Sequence, residues 1–254
     1  ISPAAHRAFS SPIGLLEFVA ELRRLSGGKP TGFKLCVGHP WEFLGIVKAM
    51  LETRILPDFI VVDGKEGGTG AAPMEFMDHL GMPLRDGLDF VHNALVGAGL
   101  RGAIKIGASG KIVTGFDIAR AMALGADWCN AARGFMFAVG CIQSQSCHTD
   151  KCPVGVATQD PTRYRALVVE DKRRRVVNFH HATIHALAEL TGAAGLAHPN
   201  DFGPAHFSRR VSTHESLGFD ELYPALAPGE LLAGTTDRRF RDAWALARAD
   251  RFAP

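Results

Sequence analysis

The sequence predicts an α/β fold: the C-terminal half of a (β/α)8 TIM barrel, followed by a mainly helical C-terminal extension. Three observations predict it. Four short, continuous apolar runs are separated by helical patterns, as expected for parallel strands covered on both faces. Nearly every run ends in a Gly-rich or polar turn: VGHP, DGKEGGTG, GASGK and ARG. Only four such runs occur, half of what a barrel needs. A doubly wound sheet also fits the alternation, but it would concentrate its glycines in the first βα turn. Here they recur from strand to strand, as in barrels, where chemistry collects at the C-terminal ends of several strands.

The elements follow in order. Ser11 and Pro12 can cap and start a helix through Leu25, with an apolar stripe of Ile13, Leu16, Val19 and Leu22, and Gly27 and Gly28 to stop it. The predicted strands are Gly32–Val37, Phe59–Asp63, Ala103–Gly107 and Trp128–Ala132. Predicted helices over Trp41–Leu56 and Arg85–Val96 lie between them, and Thr114 with Asp117 resembles a capping box for a fourth helix through Leu124. Residues 1–160 are therefore read as the half barrel, with a cysteine loop at 140–160, and residues 161–254 as the helical extension. The chain opens ISPAAH, without Met, so a fragment or processed chain is expected, with four earlier strand–helix units upstream or in another chain.

Composition narrows the class of function. Hydrophobic residues make up 46% and charged residues 21%, ordinary for a soluble globular protein. A formal charge of +2 gives no argument for nucleic acid, and the run Lys172–Arg175 beside Glu170 and Asp171 reads as a solvated helix start. No window approaches a membrane span, so no membrane partner is expected. Five cysteines without a secretion signal argue against a disulfide scaffold and point to the cytoplasm.

The turns carry the candidate site. Glu66-Gly67-Gly68-Thr69-Gly70 clusters glycine after a strand, where backbone can approach a flat or anionic ligand. Gly107-Ala108-Ser109-Gly110-Lys111 offers backbone N–H groups ahead of a helix, an arrangement that suits phosphate. Asn130-Ala131-Ala132-Arg133-Gly134 follows the last strand, where barrels often build a phosphate site. Lys34 lies inside the apolar run FKLCV, so its ammonium needs an anion or acceptor. Pointing inward, it is a cation at the heart of a barrel; pointing outward, it pairs with a carboxylate. Lys105 poses the same question.

Cys141, Cys147 and Cys152 are spaced C-x5-C-x4-C. Zinc usually takes four ligands, often in C-x2-C pairs, and His148 is awkwardly adjacent to Cys147. Three thiolates in a compact loop suit a cluster of the [3Fe–4S] type, and plain thiols remain an alternative. Cys36 and Cys129, within strands, read as buried thiols. His181 and His185 lack the H-E-x-x-H context of a helical metal site.

The run GCIQSQSCHTDKCPVGVATQDP strongly resembles the cysteine loop of the glutamate synthase family, and Gly64–Pro73 resembles its G-x-D-G-G-T-G-A-[SA]-P segment, with Glu66 for Asp. Ile1-Ser2-Pro3 with His6, and Val176–Phe179, are similar to further family segments. The resemblance implies an FMN-binding barrel and a [3Fe–4S] cluster held by Cys141, Cys147 and Cys152. It implies that Lys34 touches the flavin's pyrimidine edge as a catalytic and cofactor-binding residue. Gly67, Gly68, Thr69 and Gly70 would then approach the flavin, with Ser109, Gly110, Lys111, Ala132 and Arg133 at its phosphate. The implied reaction reduces 2-iminoglutarate, formed from 2-oxoglutarate and ammonia, to L-glutamate. Its implied partners are a 2-oxo or imino acid, an electron-donor protein or subunit, and a separate ammonia-supplying amidotransferase. Ser109, Lys111 and Asn130–Arg133 depart from the larger synthases and resemble stand-alone forms, including N-methylglutamate synthase subunits. A non-catalytic electron relay or scaffold is the contrasting expectation.

Overall fold

Ser11 opens the first helix as its sequence suggests. Its Oγ accepts the Gly14 N–H at 3.1 Å and Pro12 takes the first helical position, so α1 spans Pro12–Leu25. The computed structural model describes residues 5–68, 72 and 75–254. Then follow β1 (Gly32–Leu35), α2 (Pro40–Thr53), β2 (Phe59–Asp63), α3 (Leu84–Gly97), β3 (Lys105–Ser109), α4 (Gly115–Ala123), β4 (Trp128–Asn130) and α5 (Arg133–Ala138). The later residues form α6 (Pro161–Tyr164), α7 (Val169–Ala193), β5 (Ser208–Arg210), β6 (Ser216–Gly218), α8 (Phe219–Leu222), α9 (Glu230–Ala233) and α10 (Arg238–Leu246).

Three departures from the sequence expectation have local causes. β3 starts two residues late because the Ala103 N–H closes a turn on the Leu100 carbonyl, and the ladder begins only where the Lys105 N–H meets Asp58. β1 ends at Leu35 because the Val37 carbonyl is taken by the N–H of Met82, in the loop between β2 and α3. The β5–β6 hairpin is short and mostly exposed, so no apolar alternation announces it. The capping box of α4 forms as expected, with Thr114 and Asp117 exchanging bonds.

The main sheet is all parallel, in the order β1-β2-β3-β4. Its two faces differ in chemistry. Ile60, Val62, Ile106 and Ala108 join residues of α2, α3 and α4 in one core. The alternate residues point to the other face. They form rows of Gly32, Phe59 and Lys105; Lys34, Val61, Gly107 and Trp128; and Asp63, Ser109 and Asn130. Large side chains lie over small ones there. A Cβ on Gly107 would meet the Trp128 ring at 2.6 Å, and Phe59 stands edge-on to that ring at 5.9 Å. Sequential order with helices on one face is the arrangement of consecutive βα units in a barrel rather than of a doubly wound sheet. Among the described residues the four strands form an open sheet with β1 and β4 at its edges.

The later helices are built into the same core. Phe240 is fully buried and stacks on Phe90 of α3, centroids 4.9 Å apart. Lys48 of α2 donates to the Trp244 and Ala247 carbonyls at 2.7 and 2.9 Å. Asn93 accepts the Leu226 N–H at 2.8 Å, and Arg239 meets Asp89 at 3.1 Å. α7 takes a different place, across α4 and α5. A Cβ on Gly115 would meet the Leu187 backbone at 2.7 Å, and Phe179 packs edge-on against Phe135 at 5.1 Å. No helix among the described residues is long and apolar enough to cross a membrane.

Candidate functional site at the carboxyl edge of the sheet

β1 turns Lys34 onto the face away from the helices. There its Nζ meets Asp63 Oδ2 of β2 at 2.8 Å. Lys34 thus lies on the face opposite the helices and has a carboxylate for its ammonium. The pair is lopsided, with the Lys34 side chain 57% exposed and Asp63 only 17%. Asp63 Oδ1 is buried and meets no donor among the described residues. It lies against Gly67, where a Cβ would collide with it. Asp63 was not singled out from sequence; an acidic residue ending an apolar strand just before a glycine turn was the available signal. Lys105 behaves differently. It sits at the opposite end of its strand, where Asp127 holds it at 3.1 Å and Arg101 at 2.8 Å.

The loops beyond β2 and β3 pack backbone to backbone. The Gly64 N–H donates to the Ser109 carbonyl at 2.8 Å, and Gly110, at φ 132°, lies with its Cβ direction 3.1 Å from the Gly64 nitrogen. Glycine is required there by both conformation and space. Lys111 follows at φ 50° and pairs with Asp78 at 3.0 Å. From beyond β4, Arg133 reaches back to the Gly68 carbonyl at 3.1 Å, and Ala132 directly precedes α5. Lys34, Gly67, Gly68, Ser109, Gly110, Lys111, Ala132 and Arg133 thus all lie along the carboxyl ends of the strands and the loops that follow them. Thr69 and Gly70 lie outside the described residues.

Two acidic residues have structural work in this region. Glu66, where the resembling family has Asp, accepts the Leu84 N–H at 3.0 Å and so caps α3, whose N-cap Pro83 has no side chain to do it. Asp117 accepts the Val113 and Thr114 N–H groups, at 3.2 and 3.0 Å. Asp117 thereby occupies the two N–H groups just ahead of α4. A cavity of about 170 Å³ lies between these groups, lined by Glu66, Arg85, Gly110, Lys111, Asp117 and Arg120 among others.

The cysteine loop departs from expectation. Cys141, Cys147 and Cys152 are all free, yet the described residues contain no group of three His, Cys, Asp or Glu side chains placed to hold a metal. The loop closes on its own hydrogen bonds instead. Thr149 N–H reaches the Ser146 carbonyl at 3.1 Å, and Asp150 accepts the Gln159 N–H at 2.6 Å. Cys152 lies in a buried, backbone-rich part of the loop. Its residue is buried, which raises the thiol pKa, but N–H groups of Ala157, Val154, Val156 and Gly155 outweigh that and hold it below the ordinary value. The donor chemistry fits an iron–sulfur cluster; the sulfurs are not gathered. Cys129 is the opposite case, its thiol pushed up to about 12 by burial.

The carboxyl edge of the parallel sheet is thus lined by glycines and by ion-paired lysines. The conserved region of glutamate synthase matches residues 1–197, and the chain belongs to the glutamate synthase family. The glutamate synthase large subunit-like protein YerD of Bacillus subtilis is 44% identical over 87% of this chain and 42% of its own length. The archaeal glutamate synthase [NADPH] of Methanocaldococcus jannaschii is 38% identical over 77% of this chain and 38% of its own. The glutamate synthase [NADPH] large chain of Bacillus subtilis is 29% identical, matching 82% of this chain but 14% of its own. The chain thus spans about two fifths of the length of the first two relatives. Among solved structures, a flavocytochrome b2 variant matches 73% of this chain at a TM-score of 0.44 and 11% identity.

Proposed function

We propose that this chain supplies one side of a flavin site in a glutamate synthase-type oxidoreductase, completed as a (β/α)8 barrel by further βα units. The observation that carries the reading is the convergence of four consecutive strand ends on one edge, in a chain of this family. The residues suit FMN. Gly67, Gly68 and Gly110 let the turns pack closely on their neighbours at this edge, and Thr69 and Gly70 continue the motif. Loop N–H groups from Gly110, with Lys111 and Arg133, suit a phosphate. Lys34 presents a cation on the open face, where negative charge on a reduced isoalloxazine is stabilised. Bound there, the flavin supplies hydride transfer. The protein's part is to hold its phosphate, fix the ring plane and place the Lys34 charge. Cys141, Cys147 and Cys152 would hold a [3Fe–4S] cluster, which supplies one-electron transfer; this rests on the loop motif.

The proposed substrate is a 2-imino acid formed from 2-oxoglutarate and an amine, with an electron-donor protein and an ammonia-supplying subunit as partners in the cytoplasm. The experiment is anaerobic reoxidation of the chemically reduced protein. Flavin absorbance returning with 2-oxoglutarate plus ammonium supports glutamate formation. Return with methylamine and not ammonium supports an N-methylglutamate synthase-type subunit, a reading favoured by Ser109, Lys111 and Asn130–Arg133. No reoxidation with either amine rejects both and leaves an electron relay.

A further inference from the structure

We infer that Asp63 is a positioning residue that holds the Lys34 ammonium in place and moderates the charge it presents to a bound flavin. The inference rests on the flavin reading above. Asp63 ends β2 on the same face of the sheet as Lys34, and its Oδ2 takes the Lys34 ammonium at 2.8 Å. The two side chains are unequally free. Lys34 is largely exposed, a flexible stem that would otherwise sample many rotamers, whereas Asp63 is mostly buried. Asp63 therefore anchors the lysine, not the reverse.

The cost of this arrangement marks it as functional. Asp63 Oδ1 is out of solvent and meets no donor among the described residues, although desolvating a carboxylate oxygen without a partner is unfavourable. It is pressed against Gly67, in the glycine turn that lines the candidate site, and only a residue without a Cβ fits between them. Asp63 thus touches both the cation and the turn. A lone Lys34 would favour the reduced, anionic flavin strongly. A carboxylate paired with that ammonium cancels part of its field and leaves a cation of fixed position and reduced strength.

The two parts of the role separate by substitution. Asp63→Asn keeps a polar group of the same size beside Lys34 but removes the negative charge. Asp63→Ala removes both. Asp63→Glu keeps the charge and serves as the conservative variant. The measurement is the flavin midpoint potential, by spectroelectrochemistry on intact protein purified with its cofactors. Asp63→Asn is expected to shift the equilibrium at least tenfold toward reduced flavin, about 30 mV upward for a two-electron couple. Asp63→Ala is expected to weaken FMN binding at least tenfold by titration, and Asp63→Glu to restore binding and potential towards those of the wild type. An unchanged or lowered potential in Asp63→Asn, with flavin bound, overturns the inference alone. Wild-type protein that holds no FMN overturns the flavin reading and the inference with it.

Discussion

Arg133 Nη2 donates to the Gly68 carbonyl at 3.1 Å, and that bond ties the loop after the fourth strand to the glycine turn after the second. It crosses β3, so three consecutive strand ends act as one surface. The guanidinium has donors left over for an anion. Arg133→Met is expected to weaken FMN binding by about 1.5–3 kcal/mol, the worth of a charge-assisted contact. Equilibrium titration of flavin fluorescence checks this. Arg133→Lys is expected to recover only part, because a point charge cannot hold the carbonyl and a phosphate in one plane.

Glu66 is expected to matter for stability rather than chemistry. It caps the part-buried first turn of α3 through the Leu84 N–H. Glu66→Ala leaves that N–H without its partner and is expected to cost about 1 kcal/mol, with Glu66→Gln closer to neutral. Urea denaturation of the two variants separates them. Equal loss in both would show that the charge, not the cap, is what matters.

Phe240 tests whether the C-terminal helices belong to the same cooperative unit as the sheet. It is fully buried, stacked on Phe90 of α3, and α10 also packs on α2. Phe240→Ala is expected to destabilise the protein by roughly 3–5 kcal/mol through a single transition. Two transitions, the first confined to the last 35 or so residues, would contradict a shared core.

Asp89 and His92 face one cavity of about 360 Å³ and pull stability in opposite directions with pH. Burial raises Asp89 to about 6 despite Arg239, so the folded protein binds the extra proton and this contribution is lost as pH rises from about 4 to 6. Burial, aided by Arg101, lowers His92 to about 4, so its contribution is present above pH 6.5 and lost as pH falls towards 4. The two largely cancel between pH 4 and 6. Relative to wild type, Asp89→Asn is expected to gain stability as pH rises across that window, and His92→Gln to lose it. Thermal unfolding at pH 4.5 and pH 6 reads both slopes; parallel slopes in the two variants would contradict the assignment.

The sheet was legible because its strands are continuous apolar runs bounded by glycine turns, a signal carried by neighbouring residues. Phe59–Asp63 needed nothing more. The shift of β3 was not legible, because a hydrogen bond between Ala103 and Leu100 set it rather than composition. The same division holds at the site. Gly110 and Lys111 could be named from their place between strand and helix. Asp63 could not, since its role comes from parallel register with Lys34, set 29 residues apart in sequence. Nor does the C-x5-C-x4-C spacing tell how the loop closes, because Asp150 and the N–H groups around Cys152 decide that.

The most direct test of the central claim is the FMN content of intact protein purified from cells, by extraction and absorbance against protein concentration. One FMN per chain is expected, reduced severalfold by Arg133→Met and by Lys34→Met while the fold is kept. Protein that is folded by circular dichroism yet contains no flavin, and takes up none on titration, would contradict it.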